Sequence, residues 1–368
     1  MNRRPSRSRG DYDSFAASRT ARFTAASPDG RFFEPQKKRS PLALALAFAA
    51  LLLIAVLAVN LIVNQFVHVA RVSVPVKGLH EAFEGYTFLH ISDLKGMRFG
   101  SEQGLFRFAL AGKEFDAVVL TGDMVSSLGN AEPLYELLDV LRELDKEAPI
   151  YFIAGDGDPV VSSMDYAAGG SPFAPWVLGA QQRGAQLLSA PMFTEKDGQK
   201  LWLLSGTLLS LDIETMQGQY EQQYLKALDS GDDNEIELAT HNLRWLSHTR
   251  DARAVMQEGD ITVSLSHAPP SEQELSTPAG SPDLTLCGHY LGGLIRLPVL
   301  GAAFIPSRVL PRYGLFPGAS TYYGLTASRP YVYTSPGLGS SDSHYPRFFF
   351  RLFNPPTVTL VSLTPSAL

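Results

Sequence analysis

Three rhythms of hydrophobic and polar positions divide this 368-residue chain. Residues 42–63 are almost wholly Leu, Ala, Val, Ile and Phe, with Asn60 as the one polar interruption. As a helix rising about 1.5 Å per residue, that run spans roughly 30 Å of hydrocarbon, so it predicts one transmembrane helix. Beyond it, apolar runs of strand length stop abruptly in polar turns. Residues 86–91 run into Ser92-Asp93-Leu94-Lys95-Gly96, 117–120 into Thr121-Gly122-Asp123, and 150–154 into Gly155-Asp156-Gly157-Asp158. Between them, 106–113 and 134–144 carry apolar residues at helical spacing. Strand, Gly-Asp turn and helix in alternation predict an α/β layer fold with functional groups at the carboxyl ends of strands.

A third rhythm fills residues 214–257, where a polar sequence carries apolar residues at helical intervals and breaks near Gly231-Asp232-Asp233; two helices are expected. A further helix is expected at 176–182, with strands at 72–76, 186–188, 201–205, 261–265, 331–334 and 357–363. The 261–265 strand ends in Ser266-His267-Ala268-Pro269. A strand through Leu284 and Leu286 ends in Gly288-His289-Tyr290-Leu291-Gly292-Gly293, which places an imidazole where glycines let backbone crowd a ligand.

Charge sharpens the first rhythm. Ten Lys or Arg and four Asp or Glu lie in residues 1–40, a net of +6, which leaves 21 basic against 33 acidic residues, or −12, for the remainder. A basic flank before an apolar span places the N-terminus in the cytoplasm and the body outside. A secretory signal peptide would have a shorter apolar region and a small-residue cleavage site, and residues 66–71 offer only a poor one. The expected organisation is a basic disordered cytoplasmic tail at 1–40, the membrane helix at 42–63, a linker at 64–84 and one domain at 85–363. The expected location is the cell membrane, single-pass, with the lipid bilayer as a partner through that helix. Cys287 is the only cysteine, so disulfides and cysteine-based metal sites are excluded. An acidic body without a basic stripe argues against nucleic acid.

Five strand-end motifs in this order resemble the calcineurin-like metallophosphoesterases, in particular their membrane-associated bacterial branch. The likeness extends over residues 85–363 and includes Gly337-Leu338-Gly339 and Asn354-Pro355-Pro356. It implies a two-sheet β-sandwich flanked by helices, two divalent metals, and phosphoester hydrolysis by a metal-bound hydroxide. The family pattern is DxH, GDxxD, GNH[DE], a strand-end His and GHxH. This chain keeps Asp93, Asp123, His267 and His289 but has Lys95 and Leu291 for two histidines, Asp156 for the asparagine and Gly157 for the GNH histidine.

These departures fall unequally on the two metals that the resemblance implies. The first-metal site, with Asp93, Lys95 and Leu291, is expected to be vestigial, because leucine has no lone pair and an ammonium has donors only. The second keeps four groups able to ligate: Asp123, Asp156, His267 and His289. One divalent ion (manganese, zinc or iron) is expected, and a second is not. One such ion plus Lys95 gives +3 against −3 from Asp93, Asp123 and Asp156. A metal-free, salt-bridged knot of Lys95 and the three aspartates is the competing arrangement. Without the Gly157-position histidine and one metal, efficient hydrolysis is not expected, and His344 is the candidate substitute. The readings that follow are a pseudoenzyme binding a phosphate-bearing lipid or envelope ligand or a partner, or a slow phosphoesterase on a phosphorylated lipid or envelope precursor.

Overall fold

The structure, a computed structural model, describes residues 40–126, 128–162, 172–206, 208, 211–271, 281–297, 300–305, 322–326, 330–340 and 351–366. The chain divides into two units, Met1–Val56 and Leu57–Leu368. In the first, the described residues from Pro41 onward are helical and exposed, the start of helix α1 (Pro41–Val63, 23 residues). α1 is long and apolar enough to cross a membrane.

The second unit holds two six-stranded sheets. In chain order the elements are β1 (His68–Val76), β2 (Thr87–Ile91), α2 (Gly104–Leu110), β3 (Ala117–Thr121), α3 (Glu132–Leu144), β4 (Ile150–Ile153), α4 (Pro175–Gln182), β5 (Ala185–Leu187), β6 (Met192–Lys196) and β7 (Gln199–Ser205). Then follow α5 (Ile213–Ser230), α6 (Asp233–Ala254), β8 (Ile261–Leu265), β9 (Leu284–Cys287), β10 (Ile295–Leu297), β11 (Gly301–Phe304), β12 (Gly324–Leu325), β13 (Tyr331–Thr334) and β14 (Thr357–Pro365). One sheet runs β1-β14-β2-β3-β4-β5, the other β12-β13-β9-β8-β7-β6, and β10-β11 form a separate ribbon. This is the two-sheet α/β sandwich flanked by helices that the motifs implied.

Alternation along the strands builds two cores. Phe88, Val119, Tyr151 and Ile153 of the first sheet face Leu203, Val263, Leu265, Leu284 and Leu286 of the second. On the other side, Leu89, Ile91, Leu120 and Phe152 pack with Phe106, Leu134, Leu137, Leu141 and Trp176 from the helices. β2, β3 and β4 are parallel neighbours, as are β8 and β9, so the carboxyl ends of each set lie side by side. The five motifs sit there.

Some elements differ from expectation. The stretch 64–84, expected as a linker, contains β1, which pairs with β14 over nine residues, and a 3-10 turn at Glu81–Phe83. The sheet therefore begins inside it. Asn64 is buried at 2% exposure, so the chain leaves α1 directly into packed structure. β6 carries no sequence signal, because Met-Phe-Thr-Glu-Lys is an edge strand whose positions alternate between half-buried and exposed. β10, β11 and β12 are two to four residues long, too short for a period to show. The expected break at Gly231-Asp232-Asp233 is a left-handed glycine cap on α5 followed by Asp232, whose carboxylate accepts from the Asn234 and Glu235 amides at the start of α6. The tail at 1–39 and His344 lie outside the described residues.

Phe88 is fully buried between the sheets, with Tyr86 edge-on at 5.1 Å. Phe88→Ala should lower unfolding free energy by about 3–5 kcal/mol in urea titrations; a loss under about 1 kcal/mol would mean the sheets are not packed through this position.

Candidate metal centre

The loops after β2, β3 and β9 reach the centre in backbone conformations that side-chain-bearing residues rarely adopt. Asp93 (φ 54°), Lys95 (51°), Asp123 (54°), His289 (74°) and Leu291 (55°) are all left-handed. Such strain persists where surrounding bonds over-determine the chain. Here the Asp93 amide donates to Gly122 O (3.0 Å), the Lys95 amide to Asp123 O (2.8 Å), and the Gly288 amide to His267 O (2.9 Å). The turns are stacked on one another. Gly288 must be glycine, because a Cβ there would overlap the Ser92 hydroxyl.

Asp123 joins the loops. Its Oδ2 lies 2.5 Å from Lys95 Nζ, and its Oδ1 lies 3.3 Å from His267 Nε2 and accepts from the Gly157 amide at 2.6 Å. Lys95 Nζ is also 3.8 Å from Asp93 Oδ1. The ammonium thus sits between the two carboxylates, as the charge count anticipated. Asp93 is wholly buried; its Oδ2 accepts from the Ser92 hydroxyl (2.5 Å) and the His289 amide (3.0 Å). Leu291 is buried at 2% exposure and offers no ligand atom. Gly157 brings only its amide to the place where a side-chain proton donor was implied.

The remaining ligand-type atoms form a second cluster around His267. Its Nε2 lies 3.0 Å from His289 Nδ1, which is 3.8 Å from Asp156 Oδ2. His267 Nδ1 lies 2.9 Å from Thr121 O. Donation to that carbonyl aims the Nε2 lone pair at the centre, the usual outer-shell arrangement for a metal-ligating histidine. Ligand atoms of Asp156, His267 and His289, and separately of Asp93, Asp123 and His267, all lie within 4.8 Å of one another. Nitrogen and oxygen ligands about 2.0–2.2 Å from one cation fall about 3–4 Å apart, and the His267–His289, His289–Asp156 and His267–Asp123 separations lie in that range. Asp93 and Asp123 on the other side already share the lysine.

Without a cation, protons take its place. Burial alone would lower the His267 pKa, but the hydrogen bond to Asp123 and the charges of Asp93 and Asp123 outweigh it and raise the value to about 9. Burial would raise the Asp123 pKa, yet His267 and Lys95 hold it well below the usual carboxylate range. His289 is lowered, first by burial and then by the His267 charge. Asp156 is mostly exposed and stands at the rim.

Two residues outside the expected set belong to the site's frame. Asp158 accepts from the Val125 amide (2.7 Å) and the Gly155 amide (2.9 Å), and burial pushes its carboxyl up to about 6. The repeated Asp of Gly-Asp-Gly-Asp was its visible signal. Arg351 is buried and donates to backbone carbonyls.

The family model for calcineurin-like phosphoesterases matches residues 86–292, more than half of the chain, including all five motifs. The chain belongs to this family. Phosphoester hydrolysis is the family reaction, and divalent metals serve it. Among solved structures, this calcineurin-like chain is similar to phosphopantetheinyl hydrolase from Mycobacterium tuberculosis, with 14% identity, a TM-score of 0.29, and 56% of this chain and 83% of that one covered. It is also similar to the protein TT1561 of Thermus thermophilus, with 13% identity, a TM-score of 0.30, and 55% and 81% covered. A search of curated proteins found no match.

The His267 shift has a definite sign. Its folded pKa is about 9, above the ordinary 6.5, so its contribution to apoprotein stability is complete below pH 6.5 and lost as pH rises through 9. Metal-free protein should lose thermal stability between pH 6.5 and 9, and Asp123→Asn should abolish that slope. A metal ligated by His267 would have to displace this proton, so its affinity should climb about tenfold per pH unit over the same window. A flat profile in both measurements would show that His267 is neutral.

Proposed function

We propose that this calcineurin-like protein is a membrane-anchored pseudoenzyme with a one-metal centre, in which Lys95 occupies the seat of the second cation, and that it binds a phosphate-bearing lipid or envelope ligand. The observation that carries this reading is the Lys95 ammonium, 2.5 Å from Asp123 and 3.8 Å from Asp93. A cation cannot enter between two carboxylates already bridged by an ammonium without displacing it. The proposed ligands of the remaining ion are Asp123, Asp156, His267 and His289. When bound, that ion would supply Lewis-acid charge to a phosphoryl oxygen. The chain's own residues do the rest: Lys95 neutralises Asp93 and Asp123, Thr121 O orients His267, and the exposed Asp156 carboxylate is free to turn inward from the rim.

Loss of hydrolysis follows from what the residues lack. Gly157 delivers no proton to a leaving group, and one of the two charge-stabilising cations is replaced by a lysine bound to carboxylates; each such change commonly costs about two powers of ten in rate. The metal-free knot has one observation in its favour. Protonated His267 with Lys95 balances Asp93 and Asp123 without any metal. α1 supports membrane anchoring by its length and exposed apolar surface, and the basic tail supports a cytoplasmic N-terminus.

Three measurements test this reading. Full-length protein in detergent should bind about one manganese or zinc ion, lost in His267→Ala and weakened in Asp156→Ala; no specific ion in wild type would establish the knot. Restoring Lys95→His, Gly157→His and Leu291→His together should add a second ion and raise hydrolysis of a nitrophenyl phosphodiester by about a hundredfold or more. Wild-type turnover already at the level of the restored variant would make the protein a working phosphoesterase. In membrane vesicles, carbonate washing should leave the chain in the bilayer, and external protease should reach the body in right-side-out vesicles only.

A further inference from the structure

Arg351 poses a physical question. It is 1% exposed, and burial pulls its pKa down to about 10. A buried guanidinium normally faces a carboxylate, but this one donates to four carbonyls: Asn354 O (2.8 Å), Gly339 O (2.5 Å), Leu291 O (3.1 Å) and Pro336 O (2.6 Å). Those carbonyls belong to the turn after Arg351, to the metal loop and to the loop around Gly337. That last loop in turn holds the Asp93 turn, through the Leu338 amide on Ser92 O (3.0 Å) and the Gly339 amide on Asp93 O (2.6 Å). Asn354 repeats the pattern, its Nδ2 donating to Leu291 O (2.7 Å) and Gly293 O (2.6 Å).

The same turn is gripped from the other side by the last residues of α1 and the turn behind it. Asn64 Nδ2 donates to Arg351 O at 2.7 Å, and Asn60 Oδ1 accepts from the Phe353 amide at 3.3 Å. Both asparagines are buried. Asn60, the one polar residue in an apolar run, therefore has a partner in the catalytic-type domain.

We infer that Arg351 and Asn354 are positioning residues for the metal loop, holding His289 and Leu291 in their left-handed turn, and that Asn60 and Asn64 make the end of α1 part of the same device. The guanidinium fork suits the task, since its planar donors reach several carbonyls at once and a lysine cannot reproduce them. Residues that orient metal ligands from behind commonly affect affinity about 10- to 100-fold when changed. The role in metal binding rests on the one-metal reading; the role in holding the loop does not.

The test uses the full chain in detergent micelles, with manganese alone as the probe and amide hydrogen exchange as a second readout. Arg351→Lys and the Asn60→Ala, Asn64→Ala pair should each weaken manganese binding about tenfold or more, with the melting temperature moving far less than in Phe88→Ala. Exchange should quicken across 288–294 while β3 stays protected. Wild-type affinity together with wild-type exchange in both variants would overturn the inference. If wild type binds no manganese, the one-metal reading fails by itself, and exchange at 288–294 still decides the positioning role. Should Arg351→Lys fail to fold, the asparagine pair carries the decision.

Discussion

The Asp123 carboxylate is the group on which the centre depends. Its two oxygens meet Lys95, His267 and the Gly157 amide, groups from three loops and both sheets. A carboxylate buried to this degree is costly unless a cation or hydrogen-bond donor faces each oxygen. The two sides of Asp123 are therefore not independent choices. One is taken by a lysine that cannot leave without exposing Asp93 as well. The other faces His267 Nε2 at 3.3 Å, and that contact helps to raise the histidine's pKa to about 9. Charge balance, as well as the count of ligand-type atoms, therefore constrains the centre.

Geometry makes that balance specific. Five left-handed residues crowd the ends of β2, β3 and β9, two of them Lys95 and Leu291. These two share the left-handed backbone of Asp93, Asp123 and His289 while carrying side chains that cannot ligate. The scaffold thus holds at positions without ligating side chains. It stays because the strained turns are tied mainly by main-chain hydrogen bonds, and a change of side chain leaves those bonds in place. Arg351 extends the same logic, since it binds carbonyls and ignores which side chains those residues bear.

Much of this was legible along the chain. Long α3, α5 and α6 and the buried strands β2, β3, β4, β8 and β9 announce themselves by period and by the turns that close them. The pairing of Lys95 with Asp93 and Asp123 followed from the place of Lys95 in the family pattern together with charge balance. The linker expected at 64–84 was misjudged because β1 gains its place by pairing with β14, almost three hundred residues later, and no local pattern encodes that partner. β6 lacked a signal since an edge strand with half-buried positions looks like a loop. The role of Arg351 has no local signal, because an arginine's neighbours are set by the fold, and its guanidinium reaches carbonyls up to 60 residues away.

The sequence by itself determined the apolar helix, the alternation of strand and helix, and the stock of groups at the centre: three aspartates, two histidines and one lysine. Composition and period suffice for the helix and the strands, because burial of apolar faces is a property of the residues; the groups at the centre follow from the resemblance of the strand-end motifs to the family pattern. Only the tertiary structure decided which carboxylates the lysine meets, that Asp123 faces His267 and raises its pKa, that Asp156 stands exposed at the rim, and that Asn60 and Asn64 reach the turn behind the loop after β9. Those outcomes depend on distances of a few ångströms between segments far apart in sequence, and distance exists only once the sheets have closed on each other.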